Sequence, residues 1–178
     1  GWCTARGRVC PETQEGMLAG RVRANPPFTG FRYAGLRIRQ DGGPFVIEFK
    51  ARLGDPGTRP ILFRLDSDLL DLLEASLDGK LKQAEPRWNS KPALGVVMAA
   101  EGYPATVAKG DVITGLDSDF GGVKVFHAST AQKDGQVVTS GGRVLCVVGS
   151  GKDIAEAQRL AYAGVSKIQW RGEQHRTD

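Results

Sequence analysis

The stretch VIEFKARLGDPGTRP, residues 46–60, holds the densest group of side chains able to do chemistry. Val46, Ile47 and Phe49 suit a pleated strand. Side chains alternate across a strand, so Glu48 and Lys50 share one face. Gly54-Asp55-Pro56-Gly57 then reads as a turn. Arg52 and Asp55 flank it, and charged residues on a loop after a strand are well placed for binding. Two readings of Glu48 stand open. It forms an ordinary solvated pair with Lys50, or it holds a divalent cation beside a phosphate, since magnesium takes hard oxygen ligands. Protonated Lys50 has donors and no acceptor, so it cannot share that task.

Other candidates are weaker. His127, between Phe126 and Ala128, has the right pKa range for a general base, yet no acid or nucleophile accompanies it, so a packed or hydrogen-bonded histidine is the simpler reading. His175 lies in a polar tail and receives no role. Gly121-Gly122 and Gly141-Gly142 would let a phosphate approach the backbone. With no helix start behind them they read as turns. No P-loop or GxGxxG pattern occurs. Cys3, Cys10 and Cys146 are too few and scattered for a disulfide framework, and Cys146, inside VLCVV, reads as a buried small hydrophobe. That usage fits a reducing cytoplasm.

These residues need a scaffold. Residues 28–39 read as a strand, and Asp41-Gly42-Gly43 turns the chain into a second strand at 45–50, forming a hairpin. Leu69, Leu70, Leu72, Leu73 and Leu77 recur at helical spacing, with Asp66 or Ser67 to cap the start and Gly79 to end it. Residues 81–92, with Pro86 and Pro92, read as a linker between domains. LGVVMAA at 94–100 reads as a strand buried on both faces. Short strands follow at 111–114 and 124–129. QVVTS and RVLCVV read as a hairpin joined through Gly141-Gly142. Asp153 and Glu156 make a capping box, and Ile154, Ala157, Ala161, Val165 and Ile168 give the next helix one apolar face. Strands followed by a helix on an antiparallel sheet define an α+β arrangement.

Composition excludes some classes. The chain has 178 residues, 40% hydrophobic and 25% charged, as expected of a globular protein. No apolar run approaches the roughly 20 residues of a membrane helix, and no secretory signal is evident. The net charge of +4 is uneven. Residues 1–40 carry seven Arg, no Lys and two acids, whereas the remainder is nearly balanced. Arg6, Arg8, Arg21 and Arg23 are not interleaved with aromatics, and Pro11, Pro26 and Pro27 interrupt any helix, so no nucleic-acid partner is expected. Gly1 is not a natural start, which suggests a fragment.

The segments PFTGFRYAGLRI, VIEFKARLGDP, SDLLDLLEASLDGKL, LGVVMAAEGYPATVAKGDVITGL, KVFHAST and VVTSGGRVLCVVGSGKDIAEAQRLAY together resemble the C-terminal part of the phosphoribosylamine–glycine ligase family. The resemblance covers 27–178, while 1–26 match poorly. It implies the last part of an ATP-grasp domain at 27–80, a linker at 81–92, and a small antiparallel sheet domain with a packed helix at 93–178. It implies a cytoplasmic enzyme of purine biosynthesis, monomeric at full length. That enzyme uses ATP with Mg2+ or Mn2+ to join glycine to 5-phosphoribosylamine through an acyl phosphate, and this piece alone would be inactive. By resemblance, Arg52 and Asp55 are catalytic. Glu48 and the position of Lys50 hold metal. Gly102, Tyr103, Pro104, Gly141, Gly142 and Arg143 line the substrate side. Departures cluster: Lys50 replaces the family's Asn, Gly57 its Glu and Arg59 its usual Gln, while Ser129 replaces Gly in HAGT. They raise a second reading, a non-catalytic relative kept for binding or structure.

Overall fold

The computed structural model describes residues 29–31 and 33–177. Cys3, Cys10 and the arginines at 6, 8, 21 and 23 lie outside them. In chain order the elements are β1 (Tyr33–Ile38), β2 (Pro44–Lys50), α1 (Thr58–Phe63), α2 (Leu69–Leu77), β3 (Ala93–Ala99), β4 (Val123–His127), β5 (Thr130–Lys133), β6 (Gln136–Thr139), β7 (Arg143–Ser150), α3 (Ile154–Val165) and β8 (Gln174–His175). No helix among the described residues is long and apolar enough to cross a membrane.

The described residues fall into two units, one of 29–54 with 65–88, the other of 55–64 with 89–177. This division differs from the expected one, because 55–64 joins the later unit rather than staying with the hairpin before it. The expected linker is also partly structured, with a 3-10 turn at Leu81–Gln83 and a bridge from Leu65 to Trp88.

In the first unit, β1 and β2 form the expected antiparallel hairpin. Gly42 takes a φ of +83° at the turn, and Asp41 Oδ1 accepts from Gly43 N at 2.9 Å. A register shift between Gly35 and Leu36 gives the hairpin a bulge. The apolar side chains of Phe45, Ile47 and Phe49 are exposed, whereas Lys50 is half-buried. Helix α2 stops at Gly79, with φ +71°, as expected. Its cap is Asp68, which accepts from Leu70 N at 2.7 Å, rather than Asp66 or Ser67. Ser67 Oγ instead accepts from Arg87 N. No residue of α2 is buried, so its leucine periodicity does not mark a covered face here.

The second unit is built on a four-stranded antiparallel sheet in the order β4-β7-β3-β8. The expected hairpin between 136–140 and 143–148 does not form. Strand β6 pairs with β5, and β7 runs between β3 and β4. The missed signal is Asp134-Gly135, both at positive φ, which closes the two-residue turn that a tight hairpin requires. Residues 111–114 make only isolated bridges, Val112 to Val138 and Thr114 to Gln169, in place of a strand.

Both faces of β7 are covered. On one, Val96, Met98, Val144, Leu145 and Val147 pack with Ala161 and Val165 of α3 and with Ile168 and Trp170. On the other, Cys146 and Val148 pack with Ala93, Phe63 and Phe126. The Phe63 and Phe126 rings meet edge-on at 6.4 Å. Phe63 belongs to α1, a helix that sequence reasoning missed. Pro60 is compatible with that helix because it lies in the first turn, whose N–H groups have no intrahelical partner. The capping box of α3 forms in a shifted version. Asp153 Oδ1 accepts from Glu156 N, while Glu156 Oε2 accepts from Lys152 N, both at 2.8 Å. Ile154, expected on the buried face, is exposed.

Helix α3 approaches the sheet so closely that a Cβ on Gly149 would lie 2.5 Å from Ala157 O and 2.6 Å from Ala161 N. Those neighbours are backbone and cannot step aside alone. Gly149→Ala is therefore expected to destabilise the unit by about 1–3 kcal/mol, the usual cost of overpacking. A lowered denaturant midpoint at unchanged slope checks this.

Candidate functional site

The hairpin puts Tyr33 opposite Lys50 and Gly35 opposite Glu48. Glu48 and Lys50 share one face, as read from sequence, and the register adds Tyr33 and Gly35 to it. Lys50 Nζ lies 2.9 Å from Glu48 Oε1 and 5.6 Å from the centre of the Tyr33 ring. Burial, and secondarily the Glu48 charge, push the Tyr33 phenol pKa up. A Cβ on Gly35 would stand 3.0 Å from Glu48 Cγ, so the small residue leaves the carboxylate room. The expected metal pair does not fit a divalent cation in this form. An ammonium sits on the one available carboxylate, and the described residues contain no group of three His, Cys, Asp or Glu able to hold a metal. Arg52 is exposed and donates from Nη1 to Leu53 O at 2.9 Å.

The second unit brings more of the expected residues together, at the end of the sheet where β3 stops and β7 starts. A Cβ on Gly142 would lie 2.5 Å from Tyr103 Cδ2, so the Tyr103 ring lies against a bare backbone. Ala100 N donates to Gly142 O at 2.9 Å. The segments Gly102-Tyr103-Pro104 and Gly141-Gly142-Arg143 are thus neighbours. From there Arg143 reaches Asp55, with Nη2 3.1 Å from Oδ2 and Nη1 donating to the Asp55 carbonyl at 3.3 Å. The other carboxylate oxygen of Asp55 pairs with Arg59, one turn further along. Asp55, expected as catalytic, is clamped between two guanidinium groups and holds both. Its remaining capacity to act on a substrate is small, and the cluster of one carboxylate and two cations carries net positive charge suited to an anion.

Arg59 received no role from sequence, although an acid and an arginine four residues apart are a pairing signal on a helix. The departure at Ser129 lies at the same end. A Cβ on Gly141 would meet its side chain at 2.8 Å, and Ser140 N donates to Ser129 O. His127 Nδ1 lies 2.9 Å from Thr130 Oγ1, the hydrogen-bonded reading rather than the general base. His175, given no role, lies 2.8 Å from Glu173 Oε1 and beside the Tyr162 ring. Gly121-Gly122 is a turn, with Gly121 N donating to Asp119 Oδ1.

The second unit is of the α+β class, with a cationic rim at one sheet end, and sequence relatives identify it further. Residues 93–178 match the family described as phosphoribosylglycinamide synthetase, C domain. The phosphoribosylamine–glycine ligase of Xanthomonas campestris is 51% identical over 172 residues, covering 96% of this chain and 40% of that protein. The enzyme of that name from Neisseria meningitidis is 52% identical over 162 residues, or 90% of this chain and 38% of that protein. The crystal structure of phosphoribosylamine–glycine ligase from Thermotoga maritima superposes with a TM-score of 0.69 at 38% identity, covering 84% of this chain and 36% of that one. The biotin carboxylase domain of the Hydrogenobacter thermophilus 2-oxoglutarate carboxylase, 14% identical with a TM-score of 0.58 over 94% of this chain and 38% of that one, shares the fold alone. Residues 93–178 belong to that C-domain family, and the chain as a whole is similar to part of the phosphoribosylamine–glycine ligases. It spans about 40% of the length of the curated relatives it matches. The alignment covers 96% of this chain and so extends into residues 1–26.

Beneath the cluster lies Cys146, 1% exposed. Burial pushes its thiol from 9.0 up to about 11, with the Arg59 charge opposing and that of Asp55 assisting. A folded pKa above the unfolded one favours the protonated form in the native state. The stability this group contributes is whole below about pH 9 and is lost as pH rises through about 11. Cys146→Ala is expected to flatten the fall in stability between those values, measured by denaturant titration at successive pH.

Proposed function

We propose that this chain is the C-terminal part of a phosphoribosylamine–glycine ligase of purine biosynthesis. It supplies the last strands of an ATP-grasp domain and the C-terminal α+β domain. The observation that carries the reading is 51% identity over 96% of the chain to a protein of that activity. The reaction has a plain physical logic. A carboxylate is a poor electrophile, so ATP phosphorylates glycine and supplies a leaving group. The amine of 5-phosphoribosylamine attacks the acyl carbon, the amide bond forms, and phosphate departs with the bonding pair. Protein groups mainly hold the reactants in line and neutralise phosphate charge.

In the second unit the neutralising group is Arg143 on the sheet rim, and in the first unit, taken by itself, it is Arg52 on the loop after β2. Gly102, Tyr103, Pro104, Gly141 and Gly142 shape the backbone beside Arg143. Asp55 acts as a positioning residue that holds Arg143 and Arg59. The enzyme takes Mg2+ or Mn2+ with its ATP, but with Lys50 on Glu48 no step is assigned to a metal in this chain. The full-length protein works as a cytoplasmic monomer without nucleic acid. The Lys50–Glu48 pair favours one other reading, a relative that has lost catalysis and retains a binding role.

Fragment complementation separates the two. The part of the Xanthomonas campestris relative that precedes the matched region is produced separately and mixed with this chain. Glycinamide ribonucleotide, followed as ATP-dependent product, is expected from the mixture and from neither piece alone. A silent mixture, with both pieces folded and bound to each other, favours the non-catalytic reading. In the same mixture Lys50→Asn removes a cation from beside Glu48 and adds an oxygen acceptor. Mn2+ affinity by electron paramagnetic resonance is expected to rise roughly tenfold, the scale of one charge removed at a half-exposed site.

A further inference from the structure

The two short ends of the four-stranded sheet are treated unequally by the last residues of the chain. Strand β8 adds to the edge of β3 only at its end, with Met98 opposite His175 and Ala99 opposite Gln174. The Gln174 side chain then reaches over the end of the strand. Its Nε2 donates to Ala100 O and to Tyr103 O, each at 3.1 Å. Both acceptors are carbonyls, so only the amide –NH2, with its two protons, satisfies the pair. The two carbonyls bracket Gly102, whose φ is +88° and whose missing Cβ would sit 2.1 Å from Thr106 O. A chain bent that tightly projects carbonyls outward, and Gln174 collects them.

Two further contacts bind the same pair of segments. Arg171 Nε lies 2.9 Å from Asp111 Oδ1. Gly172, at φ +69°, has space for no Cβ because Glu101 Cβ would be 2.5 Å away. Residues 171–174 therefore grip 100–111 at its beginning and its end. Within the gripped segment, Tyr103 N donates to Ala100 O, Ala105 N to Gly102 O and Ala108 N to Glu101 O. The outcome is a fixed place for the Tyr103 ring against Gly142, next to Arg143.

We propose that Gln174 is a positioning residue for the rim: its two hydrogen bonds hold the loop carrying Tyr103 against Gly142 and so set the substrate side of the site. This rests on the reading of that rim as substrate-binding. Nothing near Gln174 in sequence marks it, since the polar tail 171–178 has no period and no motif.

The test uses the whole chain. Gln174→Glu keeps the shape and replaces the donors by acceptors facing two carbonyls. Gln174→Met keeps the length and removes the polarity. Amide hydrogen exchange at Tyr103, Ala105 and Ala108 is expected to quicken about tenfold in both variants, the scale of losing two ordinary hydrogen bonds. Exchange in β7 should quicken no more than in the loop, and the thermal midpoint should fall by no more than a few degrees. In the complemented mixture, KM for 5-phosphoribosylamine should rise about tenfold with kcat within about twofold, because the loop acts on binding rather than on the chemical step. Unchanged loop exchange in both variants overturns the proposal, as does a loosened loop with unchanged KM. If the wild-type mixture shows no turnover, the substrate reading falls. Binding of inorganic phosphate to the isolated chain by calorimetry then decides the rest. Weakening by both variants supports a positioning role for Gln174 at an anion site, and equal affinity overturns it.

Discussion

Burial of β7 on both faces is the constraint from which the later unit follows. Val144 to Val148 are at most 1% exposed, and a strand so enclosed has no solvated side to fall back on. Its neighbours β3 and β4 satisfy the backbone groups along its edges. Side-chain alternation then demands two different covers. Helix α3 supplies one through small residues, Ala157, Ala161 and Gly164, which allow the helix backbone to come down onto Gly149. Segment 55–64 supplies the other through Phe63. Removing either cover would expose several fully buried side chains at roughly 1.5–3 kcal/mol each.

That second cover explains why Asp55 is a hub. The residues after β2 do not stay with the hairpin. They lie on the β4-β7-β3 sheet, and the carboxylate that begins the segment is tied to the residue that begins β7. Packing and electrostatics therefore fix the same register: Phe63 fixes the far end of α1 and Arg143 the near end. A charged cluster that is about 40% exposed contributes little to stability by itself. Its value is geometric. Two guanidinium groups are held at a known place on the rim, their positions set by one carboxylate.

Legibility from sequence followed the range of the signals. Local ones were read correctly: the Asp41-Gly42-Gly43 turn, the stop at Gly79, the Asp153 cap and the buried run around Cys146. Pairing was harder. QVVTS and RVLCVV are adjacent and both strand-like, and a glycine pair separates them, so a hairpin was the natural inference. The actual turn, Asp134-Gly135, pairs the polar Thr130–Lys133 with Gln136–Thr139, and the first of those strands has no apolar alternation to announce it. Helix α1 was hidden by its Pro60 and by having only six residues. In the site, neighbours on one strand such as Glu48 and Lys50 were legible because alternation alone places them together. Asp55 with Arg143, 88 positions apart, was not, and neither was Gln174 with Tyr103. No periodicity links such residues; only the fold does.

Two of the four departures from the family pattern share one electrostatic form. At residue 50 an ammonium stands where the resemblance implies an oxygen ligand, and it rests on Glu48. At residue 59 a guanidinium stands where it implies a neutral amide, and it rests on Asp55. Each change adds a tethered cation beside a carboxylate. A carboxylate already neutralised attracts a metal ion less, since the attraction at short range scales with the unpaired charge. The same cations leave the surroundings more positive toward phosphate or carboxylate ligands. On electrostatic grounds, a cation at each of these places shifts the preference of its surroundings from cations toward anions. That shift is compatible with positioning anionic reactants, and it loosens the link between anion binding and a divalent ion. Catalysis by phosphoryl transfer depends on charge neutralisation at the moment of transfer, and a lysine delivers one charge from a flexible stem where a magnesium ion delivers two at a rigid point. A lysine at residue 50 therefore leaves more of that neutralisation to arginines, and the rim beside the Tyr103 loop is where Asp55 holds two of them, Arg59 and Arg143, in place.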